Sequence, residues 1–335
     1  MVFGADVSNA FAEAPPPKKG FYIYPDRAFH EWWTNHLKRP PLDPDQVIPV
    51  LSAMQGHPES PRLWEKHADS ILRDVGLTPT VHEPCLYSGM IMGKPVVLKR
   101  QVDDFAIAIP DERTANILLD LIDDELSIPM KRQGYLDMYN CIDVMQMRDY
   151  IKISTTTFIN KITNKYLSTW MQNFTMTEDR PTPLPSDATW LKKFNAAIGN
   201  PDPIIQKKLA TSMQLTYRSG VGELIWAMTT TRTDLAYASV KLSQANCCPH
   251  EHHYHGVKHA LKYLYATRDD GIYFWHTAPR PEFKEGPLPR VNINKQDLLL
   301  DMKRPEHDAS IVHAYADSDW ATCVKTRRSF GGTVI

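Results

Sequence analysis

The stretch KPVVLKRQVDDFAIAIP, residues 94–110, sets two adjacent aspartates between two short runs of β-forming side chains. Val96, Val97 and Leu98 lead into Asp103 and Asp104, and Phe105, Ala106, Ile107, Ala108 and Ile109 lead out. Two such runs around a polar centre predict a β-hairpin. A solvated turn accounts for a polar pair at its tip. Apolar strands on both sides, however, draw the pair partly out of water, where two carboxylates repel unless a cation neutralises them. Mg²⁺ takes oxygen ligands and commonly sits between one or two carboxylates and substrate phosphates. The doublet alone is not decisive, because it recurs as Asp123-Asp124 inside a helical pattern and as Asp269-Asp270 in an RDDG turn. Both of these read as solvated surface.

Outward from the hairpin the chain is mixed. Upstream, MVFGADVSNAF is a strand ending at Asp6 and running into a turn or helix start. EAPPPKKGFYIYP then breaks regular structure with three consecutive prolines. Residues 32–49, rich in tryptophan and proline, read as an irregular surface loop. A helix follows, with Ser60 as cap and Pro61 at the first position. Trp64, Ala68, Ile71, Leu72 and Val75 fall on its inner face and Gly76 stops it. Beyond the hairpin, Ile117, Leu118, Leu121 and Ile122 recur at helical spacing within 113–126. Strand, helix, hairpin, helix is an α+β arrangement.

Residues 141–160 read as a second hairpin turning near Arg148 and Asp149, and the prolines of EDRPTPLPSD, residues 178–187, mark a linker. YRSGVGELIWAM, RTDLAYASVKLS and HHYHGVKHALKYLYATRDDG are helical. In the last, Tyr254, Val257, Leu261 and Leu264 line one face and Gly271 ends the helix. Residues 277–308 are charged, proline-rich loop, and ASIVHAYADSDWA and RRSFGGTVI are strand-like.

Composition narrows the class. The 335 residues are 42% hydrophobic and 23% charged, as in an ordinary globular protein. The 38 basic residues nearly balance the 39 acidic ones, so net charge argues neither for nor against a polyanionic partner. Five cysteines, with no CxxC spacing, point to a reducing compartment rather than a disulfide framework. No apolar run approaches the ~20 residues that span a bilayer, and the N-terminus lacks the layout of a signal peptide. An intracellular protein is expected.

The cluster HEHHYH, with His250, His252, His253 and His255, invites a zinc reading. No cysteine or carboxylate pair at the usual spacings completes a tetrahedral set, so a solvated helix end is the expectation. Lys258, Lys262 and Arg268, beside Tyr263 and Tyr265, could track a phosphate backbone, but an ordinary amphipathic helix is the favoured reading.

Six segments carry a family resemblance. ADVSNAF, AMQGHPESPRLWEKHADSIL, EPCLY and QVDDFAIA, then YRSGVGELIWAMTTTRTDLAYASVKLS and YADSDWATCVKTRRSFGGTVI, occur in the order seen in copia-type LTR retrotransposon polyproteins. The chain resembles that family over nearly its whole length. The resemblance implies an α+β fold with a right-hand polymerase palm, an antiparallel sheet with helices on one face. Palm and the start of the thumb would occupy 1–177, with fingers incomplete. A linker over 178–187, a helical thumb or connection region over 188–276 and a loop over 277–308 would follow. Residues 309–335 would be the β-hairpin stub of a ribonuclease H-like domain.

The implied activity is RNA-directed DNA polymerisation by two-metal nucleotidyl transfer. Asp6 resembles the first palm carboxylate, and Asp103 and Asp104 the pair on the catalytic hairpin, holding two Mg²⁺ ions for which Mn²⁺ can substitute. Val7 would lend its backbone to the triphosphate. Phe11 resembles the aromatic gate against a ribose 2′-hydroxyl, although a core phenylalanine explains it equally. Gln55 and Gly56 resemble the dNTP-pocket pair, with a polar turn as the plainer reading. Asp317 resembles the first metal-binding aspartate of ribonuclease H, and Asp319 would share its strand face. RNA template, DNA primer, dNTPs and other parts of the same polyprotein are the implied partners, in a cytoplasmic particle or the nucleus.

Three departures bear on activity. The chain starts five residues before Asp6, so the basic fingers segment is expected to be absent. Gln101 stands where the family has an aromatic before Val-Asp-Asp, which changes the contact at the primer end. The ribonuclease H portion stops at Ile335, so ribonuclease activity is not expected. Two other readings stay open at this point: an inactive relic that binds nucleic acid or metal, and an interaction protein with incidental acidic turns.

Overall fold

The computed structural model describes residues 1–43, 45–172, 174, 182–276 and 278–286, together with the backbone of 315–318 and 331–334. It divides into two compact units, 1–140 and 141–335. The division falls within the stretch 1–177 expected to hold the palm and the start of the thumb, and the hairpin after residue 141 pairs with a strand near residue 271.

The first unit is built on a six-stranded antiparallel sheet. Its strands are β1 (Val2–Asp6), β4 (Leu77–Pro79), β5 (Leu86–Ile91), β6 (Lys94–Gln101), β7 (Asp104–Ala108) and β8 (Lys131–Tyr135). They run in the order β4-β5-β6-β7-β1-β8. Alternation sorts the side chains by face. Val96, Leu98, Phe105, Ile107, Phe3 and Ala5 point into the core, whereas Val97 stays largely exposed on the other side.

Helix α3 (Ser60–Asp74) and helix α4 (Glu112–Asp123) cover the inner face. Trp64, Ala68, Ile71 and Ile122 of these helices meet Phe105 of the sheet and Val7, just after β1, around one small gap. Asp111 caps α4 by accepting from the Thr114 N–H at 3.0 Å. Hydrogen bonds from Lys94 and Thr114 push its carboxyl down to about 2. Gly76, at φ +91°, ends the turn after α3 where only glycine is unstrained.

Short elements connect these. Helix α1 (Ala10–Glu13) follows β1. Strands β2 (Tyr22–Ile23) and β3 (Ile48–Pro49) form a ribbon, and between them lies α2 (Arg27–Glu31), continuing as a π-helical turn over Trp32–His36. The expected irregular loop over 32–49 therefore begins helical, because Asp26 caps α2 and Phe29 packs on Trp32 and Trp33. Ser60 is not the cap of α3 either. It is buried, and its hydroxyl donates to the Met54 carbonyl at 2.7 Å while accepting from the Met54 N–H at 3.1 Å.

After β9 (Met138–Tyr139) the second unit opens with the hairpin β10 (Ile142–Gln146) and β11 (Tyr150–Ser154), turning at Arg148 and Asp149 as expected. Helices α5 (Thr156–Leu167), α6 (Ala188–Ala196), α7 (Pro203–Ser212), α8 (Tyr217–Thr230), α9 (Ala236–Ser243) and α10 (Glu251–Ala266) follow. Tyr254, Val257, Leu261 and Leu264 of α10 are all buried in their shared core. Strand β12 (Gly271–Trp275) then pairs with β11. Gly271 thus opens a strand instead of ending α10, and a Cβ there would collide with the Ile153 carbonyl oxygen.

Backbone strands β13 (Tyr315–Ser318) and β14 (Gly331–Val334) pair antiparallel, with Asp317 opposite Gly332. Asp319, residues 178–181 of the expected linker and most of 277–308 lie outside the described residues. No helix among the described residues is long and apolar enough to cross a membrane.

Two residues depart from the surface expectation of their clusters, in which Asp124, His250 and His255 are exposed. Asp123 accepts from the Met130 N–H and from Arg132, each at 2.7 Å, so it braces the segment leading into β8. His253 is buried: its Nδ1 accepts the His250 N–H at 2.9 Å and its Nε2 faces the Phe194 carbonyl at 3.0 Å. His250 accepts the His252 N–H in turn, so the cluster is a helix cap.

Candidate active site

Three carboxylates meet at one end of the first unit's sheet. Asp6 ends β1, Asp104 begins β7, and the two are direct partners in the β1–β7 register. Asp103 sits one residue earlier in the turn from β6. Gln101 is paired with Asp104 from the other side, and Lys131 with Asp6. Cross-strand partners point to the same face, so Asp6, Asp104, Gln101 and Lys131 share the face that α3 and α4 leave open. Among the described residues, none of the three aspartate side chains has a hydrogen-bond or ion-pair partner.

The turn that presents the pair is held from below. The Trp64 indole N–H donates to the Val102 carbonyl at 2.7 Å, and the Val7 N–H to the Asp103 carbonyl at 2.9 Å. Val102 has φ +57°, a conformation costly for a β-branched residue. Strain of this kind persists where surrounding contacts over-determine the backbone. Replacing Val102 by glycine is expected to stabilise the first unit by about 1 kcal/mol, strain relief exceeding the added chain entropy. Urea midpoints of the two proteins check this.

Burial, then the neighbouring charges of Asp103 and Asp6, raise the Asp104 carboxyl above its ordinary value. Close by, the Tyr139 hydroxyl is buried without a partner among the described residues. Burial and the Asp104 charge push it up to about 12, so it stays a neutral donor. Arg100 is buried on the core side, where its guanidinium lies against Tyr87 and makes a weak contact to Cys85 Sγ at 3.7 Å.

The remaining expected residues lie at varying depth. The Val7 side chain is in the core, and its N–H is already engaged by Asp103. Phe11, on α1, is half-buried against the core. Gln55 and Gly56 are exposed in a turn, Gly56 at φ +92°, and neither bonds to the aspartate turn among the described residues. Asp317 is described only as backbone, in β13. Lys131 and Tyr139 were not legible as neighbours of Asp6 and Asp104, since only long-range pairing brings them there.

Chemically the site offers hard oxygen donors that no ion pair engages among the described residues, which suits Mg²⁺ or Mn²⁺. No three His, Cys, Asp or Glu side chains among the described residues are gathered as a ready metal cage. Mg²⁺ does not need one, because it retains waters and shares one or two carboxylates with substrate phosphates.

No family model matches the chain. Over 242 residues it is 26% identical to the putative transposon Ty5-1 protein of Saccharomyces cerevisiae, covering 70% of this chain and 71% of that one. It is 26% identical over 237 residues to the retrovirus-related Pol polyprotein from transposon TNT 1-94 of Nicotiana tabacum, and 23% over 293 residues to that from transposon RE2 of Arabidopsis thaliana. These alignments cover 70% and 87% of this chain but only 17% and 16% of the two polyproteins.

Proposed function

We propose that this chain, whose homologues are copia-type retrotransposon Pol polyproteins, carries the palm of an RNA-directed DNA polymerase. Asp6, Asp103 and Asp104 are its catalytic carboxylates. The observation that carries the reading is the register, which sets Asp6 directly opposite Asp104 on one face, with no ion pair to either among the described residues.

Two Mg²⁺ ions bound there would lower the pKa of a primer 3′-hydroxyl and stabilise charge on the leaving pyrophosphate. The chain's own residues do the rest. Trp64 and Val7 fix the turn, so Asp103 and Asp104 are presented without reorganisation. Gln101, beside Asp104, offers an amide to the primer end. Lys131, beside Asp6, offers a positive charge to a phosphate, and Phe11 would limit the sugar. The partners on this reading are an RNA template, a DNA primer and dNTPs. The hairpin β13–β14, with Asp317, would be the start of a ribonuclease H-like domain, to which no activity is assigned.

Primer extension on an RNA template, with Mg²⁺ and then Mn²⁺, tests this with the chain and its Asp103→Asn variant in parallel. Extension by the parent alone is the expected result. Extension by neither folded protein favours the second reading, a relic that binds metal or nucleic acid without turnover.

The raised Asp104 carboxyl gives a readout independent of turnover. A carboxyl raised by the fold adds stability below its unfolded pKa, and that contribution is lost as pH rises through the folded value. Near neutrality the ionised Asp104, facing the charges of Asp103 and Asp6, therefore weakens the sheet end until a cation binds. Mg²⁺ is expected to raise the melting temperature near pH ~7.5 and to leave it unchanged near pH ~4, where protonation competes. Melting curves with Mg²⁺ and with EDTA at both pH values decide.

A further inference from the structure

The segment between α1 and α3 carries rings that the first unit's core does not use. Tyr22 is 65% exposed, Tyr24 75% and Trp32 45%. None of the three packs in the core cluster. Phe29 anchors the patch, its ring 5.4 Å from Trp32 and 5.9 Å from Trp33. Arg39 lies 4.7 Å over the Trp33 ring, so one aromatic face here already takes a cation. Tyr24 stands three residues before α2 and Trp32 five residues into the helical run, which bounds their separation at about 18 Å.

Charge reinforces the rings. Residues 18–39 hold five basic and two acidic side chains. Both acids are engaged within the segment: Asp26 accepts from the Phe29 N–H at 2.8 Å, and Glu31 from Arg27 at 2.9 Å. Lys18, Lys19 and Lys38 are exposed and make no ion pair among the described residues. A protein partner would favour rings without lysines, since lysine is depleted in protein interfaces. Unpaired nucleotides suit both features, because bases stack on exposed rings whatever their sequence and phosphates meet the ammonium groups.

We propose that residues 18–39 form a stacking platform for single-stranded nucleic acid. Tyr22, Tyr24 and Trp32 supply the ring faces, and Lys18, Lys19 and Lys38 the charge. The platform uses none of the three carboxylates and does not rest on the polymerase reading. Its test is therefore run in EDTA, where a failed metal site has no influence.

Fluorescence anisotropy of the full chain with a labelled ~20-nucleotide oligo-dT and a duplex of the same length reads the platform directly. The variant Tyr22→Ala/Tyr24→Ala/Trp32→Ala is expected to bind the single strand about 10–100-fold more weakly, with duplex binding and melting temperature unchanged. Lys18→Gln/Lys19→Gln/Lys38→Gln is expected to flatten the salt dependence of single-strand binding. No single-strand binding by the parent, equal affinity in the ring variant, or an equal loss on duplex would overturn the proposal. So would a parent dimer in sedimentation that the ring variant abolishes, since a second copy would then cover the rings.

Discussion

An Asp6→Asn chain is expected to incorporate nucleotide about 10²–10³-fold more slowly than the parent and to melt no lower. The substitution keeps the shape of the side chain and removes only its charge. The Asp6 carboxylate has no hydrogen bond to lose among the described residues, and it stands opposite Asp104 in the strand register. Removing one of the like charges that face each other here relieves repulsion, so the fold gains or holds stability while the reaction loses a ligand. That opposition of signs separates a functional carboxylate from a structural one, whose loss lowers both. Asp103→Asn should match it, and the double variant should cost little more, because groups acting as a unit are not additive. Single-turnover extension with saturating primer, alongside melting curves, provides both readouts. A variant that extends as fast as the parent would remove Asp6 from the site.

Arg232→Met is expected to destabilise the second unit by about 3 kcal/mol, a fall of roughly 10 °C in its melting temperature. Arg232 is 1% exposed. Its guanidinium donates to both Asp234 oxygens, at 3.0 and 2.7 Å, and to the Thr267 carbonyl and hydroxyl, at 2.9 and 2.6 Å. Tyr263 completes the group by donating to Asp234 at 2.8 Å. The cluster ties the end of α8 and the start of α9 to the last turn of α10. Methionine fills the space but removes all four guanidinium bonds, leaving Asp234 with the Tyr263 hydroxyl and the Thr267 carbonyl with the Asp270 N–H, and the lost buried hydrogen bonds dominate the cost. Arg232→Lys should recover little, since an ammonium cannot make the two-pronged contact.

The same cluster carries a pH signature. Burial alone would raise the Asp234 carboxyl, but the bonds from Arg232 and Tyr263 outweigh it and hold the carboxyl low. This contribution is present above the ordinary aspartate range and is lost as pH falls through the lowered value. Arg232→Met should flatten that acid limb. Urea denaturation followed by far-ultraviolet circular dichroism from neutral to acid pH measures both effects, and a loss below about 1 kcal/mol would show the network to be dispensable.

The elements that local pattern specifies were legible in the sequence, and the placements that depend on distant pairing were not. Alternation around Asp103 and Asp104 set the β6–β7 hairpin, and the spacing of Trp64, Ala68, Ile71 and Leu72 set α3. The strand at Val2–Asp6 was equally plain, so the three aspartates could be named. Their alignment across β1 and β7 is a register, and register is decided by the whole sheet. For the same reason Lys131, which follows α4, gave no sign of lying beside Asp6, nor Tyr139 of lying near Asp104. The histidines failed differently: HEHHYH looked polar, yet the burial of His253 depends on the Phe194 carbonyl, some sixty residues earlier. Val102 is the instructive case. Valine belongs in a strand by propensity, and its positive φ emerges only because Trp64 and Val7 clamp the turn.

The most direct test of the central claim is a titration of Mn²⁺ into the purified chain, followed by the loss of the free-ion electron paramagnetic resonance signal, with Asp6→Asn and Asp104→Asn in parallel. The account predicts saturable binding by the parent near neutral pH, weakened at least about tenfold in each variant and lost on acidification as Asp104 protonates. Equal binding by all three proteins, or none by a folded parent even with dNTP present, would contradict it.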